Sequence, residues 1–219
     1  QPMMNVSYET LTIGPMGNNI YFLIDEDSKD CVIIDPGFRP KTQLDFIREH
    51  GWNLRQIWIT HGHYDHTAGV KTISEAFEPN IPIAMHPVSF NWAKENPSDL
   101  EFGVSVDDVP RVDIPLLQGK WLSIDPDSSE KVVEVRDISG HNPGSVLFYC
   151  PCLKIAVVGD AIFKESIGRT DFPGSDHALL LKNIREQVYT LPDDTVLLPG
   201  HLGPTTVGHE KRFNPFVRA

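Results

Sequence analysis

The amino-acid sequence predicts an α+β fold in which β-sheets lie between layers of helices. Strand-like segments with helix-like segments interspersed occupy both halves of the 219 residues, an order that disfavours a single doubly wound sheet of the Rossmann type. The chain shows no internal repeat, no low-complexity tract and no composition break that would mark a domain boundary. We therefore expect residues 1–219 to form a single domain.

The first half of the chain contains five predicted strands and three predicted helices. Alternating apolar residues indicate the strands, and apolar spacing of helical period indicates the helices. The first helix is closed by Gly51, where a left-handed residue is favoured. The predicted strands are 6–13, 20–24, 31–34, 56–60 and 81–85, and the predicted helices are 41–50, 67–77 and 87–94.

The second half begins with a segment of different character. Residues 97–118 contain three prolines beside Asp107 and Asp108, which predicts a surface loop. Asp176 is then a suitable N-cap for a helix. The predicted strands are 120–124, 132–137, 146–150, 154–158 and 195–198, with a helix over 178–189 and a short helical turn over 208–213.

Composition excludes several classes of partner. The chain carries 30 Asp and Glu against 19 Lys and Arg, a formal charge of −11, which disfavours a nucleic-acid surface. No apolar run approaches the roughly 20 residues that span a bilayer, and no secretory leader pattern is present. Three cysteines, Cys31, Cys150 and Cys152, suit a reducing compartment better than a disulfide framework. We expect a cytoplasmic protein with neither nucleic acid nor a membrane as partner.

The strongest chemical signal is a cluster of histidines after the strand over 56–60. His61, His63, Asp65 and His66 place four potential ligands within six residues, and imidazole with carboxylate is a ligand set for first-row transition metals. In an extended chain, alternate residues point the same way. His61 and His63 can therefore reach one ion while Asp65 and His66 turn toward a second.

Two coordination shells need more ligands than one loop supplies. His141, Asp160 and His201 each follow an apolar predicted strand and have glycine beside them, which allows close approach of the backbone. A lone histidine after a strand is usually a surface residue, but a cluster of this density has little structural use. His86 ends the strand over 81–85, and its approach to the site is left open.

The sequence resembles the metallo-β-lactamase fold superfamily, and most closely its glyoxalase II-like hydrolases. Seven ligand-type residues match in type, order and approximate spacing along almost the whole chain. Three further segments support the likeness: IIDPG at 33–37, GHNPGS at 140–145 and SIGRTDFPG at 166–174. The matching residues are His61, His63, Asp65, His66, His141, Asp160 and His201.

This resemblance implies an αββα sandwich, two mixed β-sheets flanked by helices, with metals at one edge. It implies that His61, His63 and His141 hold the first metal. The second metal is then held by Asp65, His66 and His201, with Asp160 bridging. We expect two divalent ions per chain, zinc in the first instance and iron or manganese as alternatives. Asp160 departs from the many β-lactamases that use Cys there, which disfavours antibiotic hydrolysis.

The expected reaction is hydrolysis of a small-molecule thioester, with Asp65 and Asp160 as the catalytic carboxylates. Two ions lower the pKa of a bridging water toward 7, and the resulting hydroxide attacks the carbonyl. A thiolate leaves without a proton donor, whereas an amine needs one. Asn142, Arg169 and Phe172 are the expected substrate contacts. For Arg169 a structural pair with Asp171 or with a loop carbonyl is the alternative.

Two features keep other functions open. Glyoxalase II proteins carry a helical C-terminal domain that helps to bind glutathione, whereas only 18 residues follow His201 here, so weak selectivity for glutathione is expected. The segment 168–174 is also similar to persulfide dioxygenases, which share the fold but use one iron and oxygen. A non-catalytic metal-binding protein is a further alternative, and the sequence does not indicate the oligomeric state.

Overall fold

The computed structural model describes residues 4–97 and 108–219. Its first sheet is mixed, with antiparallel pairing at one end and parallel pairing at the other. The strands of this sheet lie side by side in chain order as β1 (Val6–Ile13), β2 (Asn18–Asp25), β3 (Asp30–Ile34), β4 (Asn53–Trp58), β5 (Ile83–Met85) and β6 (Ile114–Pro115).

The second sheet is also mixed. The strands that follow along the chain are β7 (Trp121–Leu122), β8 (Val133–Asp137), β9 (Val146–Cys150), β10 (Ile155–Gly159), β11 (Ile162–Phe163), β12 (Ser166–Ile167), β13 (Val196–Pro199) and β14 (Thr205–Thr206). The second sheet has the spatial order β14-β13-β10-β9-β8-β7, in which β10 and β13 are parallel, while β11 and β12 form a separate hairpin.

Helices cover the outer faces of both sheets. They are α1 (Pro40–Glu49), α2 (Tyr64–Thr67), α3 (Val70–Glu75), α4 (Pro87–Glu95), α5 (His177–Asn183) and α6 (Val207–Phe213). A π-helical turn over Ile184–Val188 continues α5. No helix in the described ranges is both long and apolar enough to cross a membrane.

Side chains that alternate along the strands build three buried layers. On β2, Tyr21 and Leu23 pack against the second sheet, whereas Ile20 and Phe22 pack toward α1 and α3. Leu147 on β9 packs in the same cluster as Leu180 of α5. The order of layers is helix, sheet, sheet, helix, so the predicted αββα sandwich is confirmed.

Two predictions for local structure were wrong. The predicted helix over 67–77 is shorter: Thr67 is the last residue of α2, and α3 begins only at Val70. Gly69 lies between them and packs so closely on the Gly37 carbonyl oxygen that a Cβ there would lie 2.6 Å from it. The predicted surface loop over 97–118 is partly core. Val109 and Leu116 are buried and β6 pairs with β5, while Asp107 lies outside the described residues.

Strands of both sheets end at one edge of the sandwich. The segment after β4 meets the start of β9, where the carbonyl oxygen of Thr60 accepts a hydrogen bond from the Val146 amide at 2.9 Å. The segment after β13 contacts the end of β10 through a hydrogen bond from the Gly200 amide to the Gly159 carbonyl at 2.8 Å. Residues that directly follow β4, β8, β10 and β13 therefore share one site.

Candidate metal centre

The structure brings the seven predicted ligand residues together at this edge. They form two groups, within each of which the ligand atoms lie no more than 4.8 Å apart. The first group is His61, His63 and His141, and the second is Asp65, His66, Asp160 and His201. The individual roles of these residues stay predictions. The alternation along the loop predicts the pairing of His61 with His63 and of Asp65 with His66, and the family resemblance implies the places of His141, Asp160 and His201.

The first group consists of neutral imidazoles whose Nε2 atoms lack hydrogen-bond partners. The Nε2 atoms of His61, His63 and His141 are buried and have no hydrogen-bond partner. Burial lowers the pKa of all three rings, and proximity of His141 contributes to lowering the pKa of His63 to about 3. Three buried acceptors that face one point without a donor are costly unless a cation fills the space between them.

The second group is held by opposite charges. The Nε2 atom of His201 lies 3.1 Å from Oδ2 of Asp65 and 3.4 Å from Oδ2 of Asp160. Hydrogen bonds to these carboxylates raise the pKa of His201 to about 10. Burial lowers the pKa of His66, but the carboxylates of Asp160, Asp65 and Asp35 outweigh it and raise this pKa well above its ordinary value.

Asp160 lies between the two groups. Its Oδ2 atom is 3.9 Å from Nε2 of His61 and 3.8 Å from Nε2 of His141 on one side. On the other side it is 3.1 Å from Nε2 of His66. Its Oδ1 atom is buried and has no partner. Burial raises the pKa of this carboxyl, but the adjacent His66 and His201 hold it well below its ordinary range. This position is the one that a bridging ligand requires.

The donor set fits divalent transition metals. Nitrogen and carboxylate oxygen are their usual ligands, and the partnerless Nε2 atoms are the observation that a metal explains. The opposite ring atom of several ligands is already fixed: Nδ1 of His141 donates to the carbonyl of Arg169 at 2.7 Å, and Nδ1 of His201 to that of Met16 at 3.1 Å. Such contacts orient the ring and leave Nε2 free to bind metal.

Asp35 contacts the candidate ligands, a role that the sequence analysis missed. Its Oδ2 atom accepts hydrogen bonds from Nδ1 of His66 at 2.9 Å and from the Thr60 hydroxyl at 2.6 Å. That hydroxyl in turn accepts from Nδ1 of His61 at 2.9 Å. One carboxylate therefore orients one histidine of each group. The only signal in the sequence was its place in the IIDPG segment, which does not reveal partners more than 20 residues away.

Glycines allow the backbone to approach the ligands. A Cβ at Gly200 would lie 2.4 Å from Oδ1 of Asp160 and 2.6 Å from Cε1 of His66. At Gly168 it would meet the carbonyl oxygen of Asp160 at 1.9 Å. Both positions are restricted to glycine by the proximity of the site, not by backbone dihedral angles.

A cavity of about 770 Å³ opens onto the two groups. Phe172 forms part of its wall and stands over the first group, with its ring centroid 4.8 Å from that of His63. Trp92 of α4 packs on another side of His63, with the two ring centroids 5.1 Å apart. Further apolar side chains in the wall are Met16, Phe163, Ile167, Pro173 and Leu202.

Arg169 lines the cavity but already has a partner. Its guanidinium makes two hydrogen bonds to Asp171, at 3.0 and 2.7 Å, and lies 4.7 Å from the ring centroid of Phe172. The structural pair with Asp171 is thus present, and both residues are at the surface. A substrate contact by Arg169 or Phe172 stays a prediction.

Asn142 and His86 lie away from the cavity wall. Asn142 is fully buried, and its Oδ1 accepts hydrogen bonds from the Gly62 amide at 3.2 Å and the Ser89 hydroxyl at 2.9 Å. It supports the histidine loop from behind, and substrate contact by its side chain stays a prediction. His86 caps α4 by accepting a hydrogen bond from the Val88 amide at 3.0 Å and lines a separate, smaller cavity.

Comparison with known proteins gives both a family match and individual relatives. The family model of the metallo-beta-lactamase superfamily matches residues 13–201. The hydroxyacylglutathione hydrolase GloC of Haemophilus influenzae is 32% identical over 200 residues, which cover 90% of this chain and 92% of GloC.

Two solved structures have the same fold. The BLEG-1 B3 metallo-beta-lactamase has a TM-score of 0.86 and 30% identity over 97% of this chain and all of its own. The di-iron-bound form of TTHA1623 has a TM-score of 0.82 and 30% identity over 95% of this chain and all of its own. The two groups of candidate metal ligands therefore occur in a fold of which one solved relative is a di-iron-bound form.

Proposed function

The chain belongs to the metallo-beta-lactamase superfamily, and from that premise we propose that it is a dinuclear metal-dependent hydrolase that cleaves thioesters. The observation that carries the proposal is the pair of ligand groups on either side of Asp160, at the floor of an open cavity. Similarity to GloC, a hydroxyacylglutathione hydrolase, supports the thioester as substrate. Zinc is the proposed metal.

Each residue of the site has a proposed role, either as a metal ligand or in orienting a ligand. His61, His63 and His141 would hold the first metal. Asp65, His66 and His201 would hold the second, with Asp160 shared between them. Two such ions, when bound, supply hydroxide at neutral pH and stabilise the negative charge that develops on the carbonyl oxygen. Asp35 and Thr60 keep the histidines in the orientation that this binding needs.

The cavity wall favours a thiolate as leaving group. Apart from the ligands themselves, the ionisable side chains in the described part of the wall are Tyr64 and Arg169. Neither is a histidine or a carboxylic acid, the groups best suited to protonate an amine near neutral pH. A thiol has an ordinary pKa near 8.5 and leaves without such a donor. Thioesters and activated esters are therefore better substrates for this site than amides.

A second candidate function is a mononuclear iron persulfide dioxygenase. The asymmetry between the groups favours it: the first group has partnerless Nε2 atoms, whereas His66 and His201 already contact Asp65 and Asp160. A protein that binds one metal in the first group would leave these ion pairs undisturbed. The complete second ligand set and the di-iron neighbour favour the two-metal enzyme.

Assays with and without oxygen separate the candidates. Zinc-loaded protein should cleave S-lactoylglutathione or a simple thioester under nitrogen, with free thiol appearing in proportion to acid. Iron-loaded protein that consumes oxygen with glutathione persulfide, while thioesters stay intact, would refute the hydrolase proposal. A β-lactam should be hydrolysed slowly or not at all, and rapid β-lactam hydrolysis with intact thioesters would equally refute it.

A further inference from the structure

A second groove adjoins the metal cavity. This groove, of about 590 Å³, lies between the edge strand β1 of the first sheet and the β13–β14 end of the second. Met16 and Leu202 line both spaces. They therefore form the boundary between the metal cavity and the groove.

This boundary is made of two apolar side chains that are exposed to solvent. Met16 is 46% exposed and Leu202 is 72% exposed. Leu202 also has a left-handed backbone, with φ of 67°, which is unfavourable for a leucine. The side-chain NH₂ group of Asn19 donates a hydrogen bond to the Leu202 carbonyl at 2.7 Å and so holds this residue in place. An exposed leucine fixed in a strained conformation beside a reactive centre points to a ligand contact.

The groove itself is neutral. Its lining contains no Asp, Glu, Lys or Arg among the described residues. Two of its polar groups are engaged by the protein, because the Tyr21 hydroxyl donates to the Pro199 carbonyl at 2.6 Å and the Thr12 hydroxyl donates to Asn19 at 2.8 Å. The groove therefore offers a charged ligand no ion pair, whereas an uncharged apolar chain can pack against the apolar part of its wall.

The metal cavity offers few cations for an anionic substrate. Arg169 is the one Lys or Arg in its described wall, and Asp171 already holds that guanidinium at two atoms. The sequence of 98–107, which follows the cavity residue Pro97, contains no Lys or Arg. Glutathione carries two carboxylates, and recognition of each would call for a free cationic partner.

We propose, on the basis of the thioesterase function above, that the preferred substrates are thioesters with a neutral, apolar acyl chain. The chain leaves the metal cavity between Met16 and Leu202 and lies in the groove beside β1. Met16 and Leu202 thereby determine specificity for chain length, and the reaction stays simple hydrolysis to an acid and a thiol.

A series of N-acetylcysteamine thioesters tests this directly, since the thiol is neutral and constant while the acyl chain grows from acetyl to octanoyl. A methylene fully removed from water contributes up to about fourfold in kcat/KM. Because the groove is open, we expect about tenfold or more between acetyl and octanoyl. The zinc-loaded protein should also prefer the octanoyl thioester to S-lactoylglutathione.

A variant at the boundary and a control variant elsewhere test whether Leu202 causes this preference. Leu202→Asn removes the apolar side chain and keeps a residue that tolerates a left-handed backbone, so the octanoyl-to-acetyl ratio of kcat/KM should fall toward one. Leu117→Asn is the matched control, because Leu117 is 52% exposed and lines neither space, and its ratio should equal that of the wild type.

The outcomes separate this inference from the proposed function. A ratio that does not rise with chain length, a preference for S-lactoylglutathione, or an unchanged ratio in Leu202→Asn would overturn the inference while the thioesterase stands. If no thioester is cleaved under nitrogen, the proposed function fails and the inference fails with it.

Discussion

Replacement of Asp35 by asparagine should weaken metal binding in both groups without direct contact to either metal. Asp35 is 4% exposed, and its Oδ2 accepts hydrogen bonds from Nδ1 of His66 and from the Thr60 hydroxyl. Its Oδ1 accepts from the Thr60 amide at 2.7 Å. In Asp35→Asn one of these oxygens becomes an NH₂ group, so that a hydrogen-bond donor faces the donors of Thr60 or His66. Asparagine then favours the His66 tautomer that carries its proton on Nε2, the atom that must bind metal.

The expected magnitude follows from these contacts. A hydrogen bond to a charged group contributes about 1.5–3 kcal/mol, and 1.4 kcal/mol corresponds to tenfold in affinity. We expect metal affinity to fall roughly tenfold to a hundredfold, the range found when groups that orient metal ligands are removed. Turnover at limiting metal should fall in parallel, because His61 and His66 both depend on this carboxylate.

Competition with a chromogenic chelator measures the affinity, and circular dichroism checks the fold. Asp45→Asn is the matched control, since Asp45 pairs with Lys41 and Arg48 on the surface of α1 and should bind metal like the wild type. A folded Asp35→Asn protein with wild-type affinity for both ions would show that this carboxylate does not orient the ligands.

Further substitutions address other parts of the site. Gly200→Ala should abolish most activity in a folded protein because its Cβ would lie 2.4 Å from Oδ1 of Asp160, whereas Gly203→Ala, with nothing within 4 Å, should resemble the wild type; equal steady-state rates in the two variants would contradict the close approach. Asp160→Ala should lower hydrolysis by orders of magnitude, since the shared carboxylate fixes the metal pair, and wild-type turnover at full metal loading would remove its bridging role. Arg169→Ala should raise KM more than it lowers metal content, because the main-chain carbonyl that holds His141 remains; a loss of metal measured by elemental analysis would instead mark Arg169 as structural.

The sequence predicted the layers and the ligand cluster because both depend on local patterns. Alternation along β2 and β9 assigns each side chain to a face, and a ligand directly after a strand must lie at the sheet edge. Strands of two residues, such as β6 and β14, are too short for any periodicity to appear.

Other features depend on contacts between distant parts of the chain. Gly69, between α2 and α3, packs against the carbonyl of Gly37, and the helical spacing of apolar residues does not reveal this long-range contact. Asp35 acquires its role only when β3 and β4 pair. The groove beside β1 likewise forms only when Met16 and Leu202, which are far apart in sequence, lie in the same wall.

Metal stoichiometry, measured together with activity, tests the two-metal centre most directly. Metal-free protein is titrated with zinc, bound metal is determined by elemental analysis, and thioester hydrolysis under nitrogen is followed at each step. The ligand groups predict two ions per chain and activity that rises until the second equivalent is bound. Saturation of binding and of activity at one ion per chain would contradict the two-metal centre.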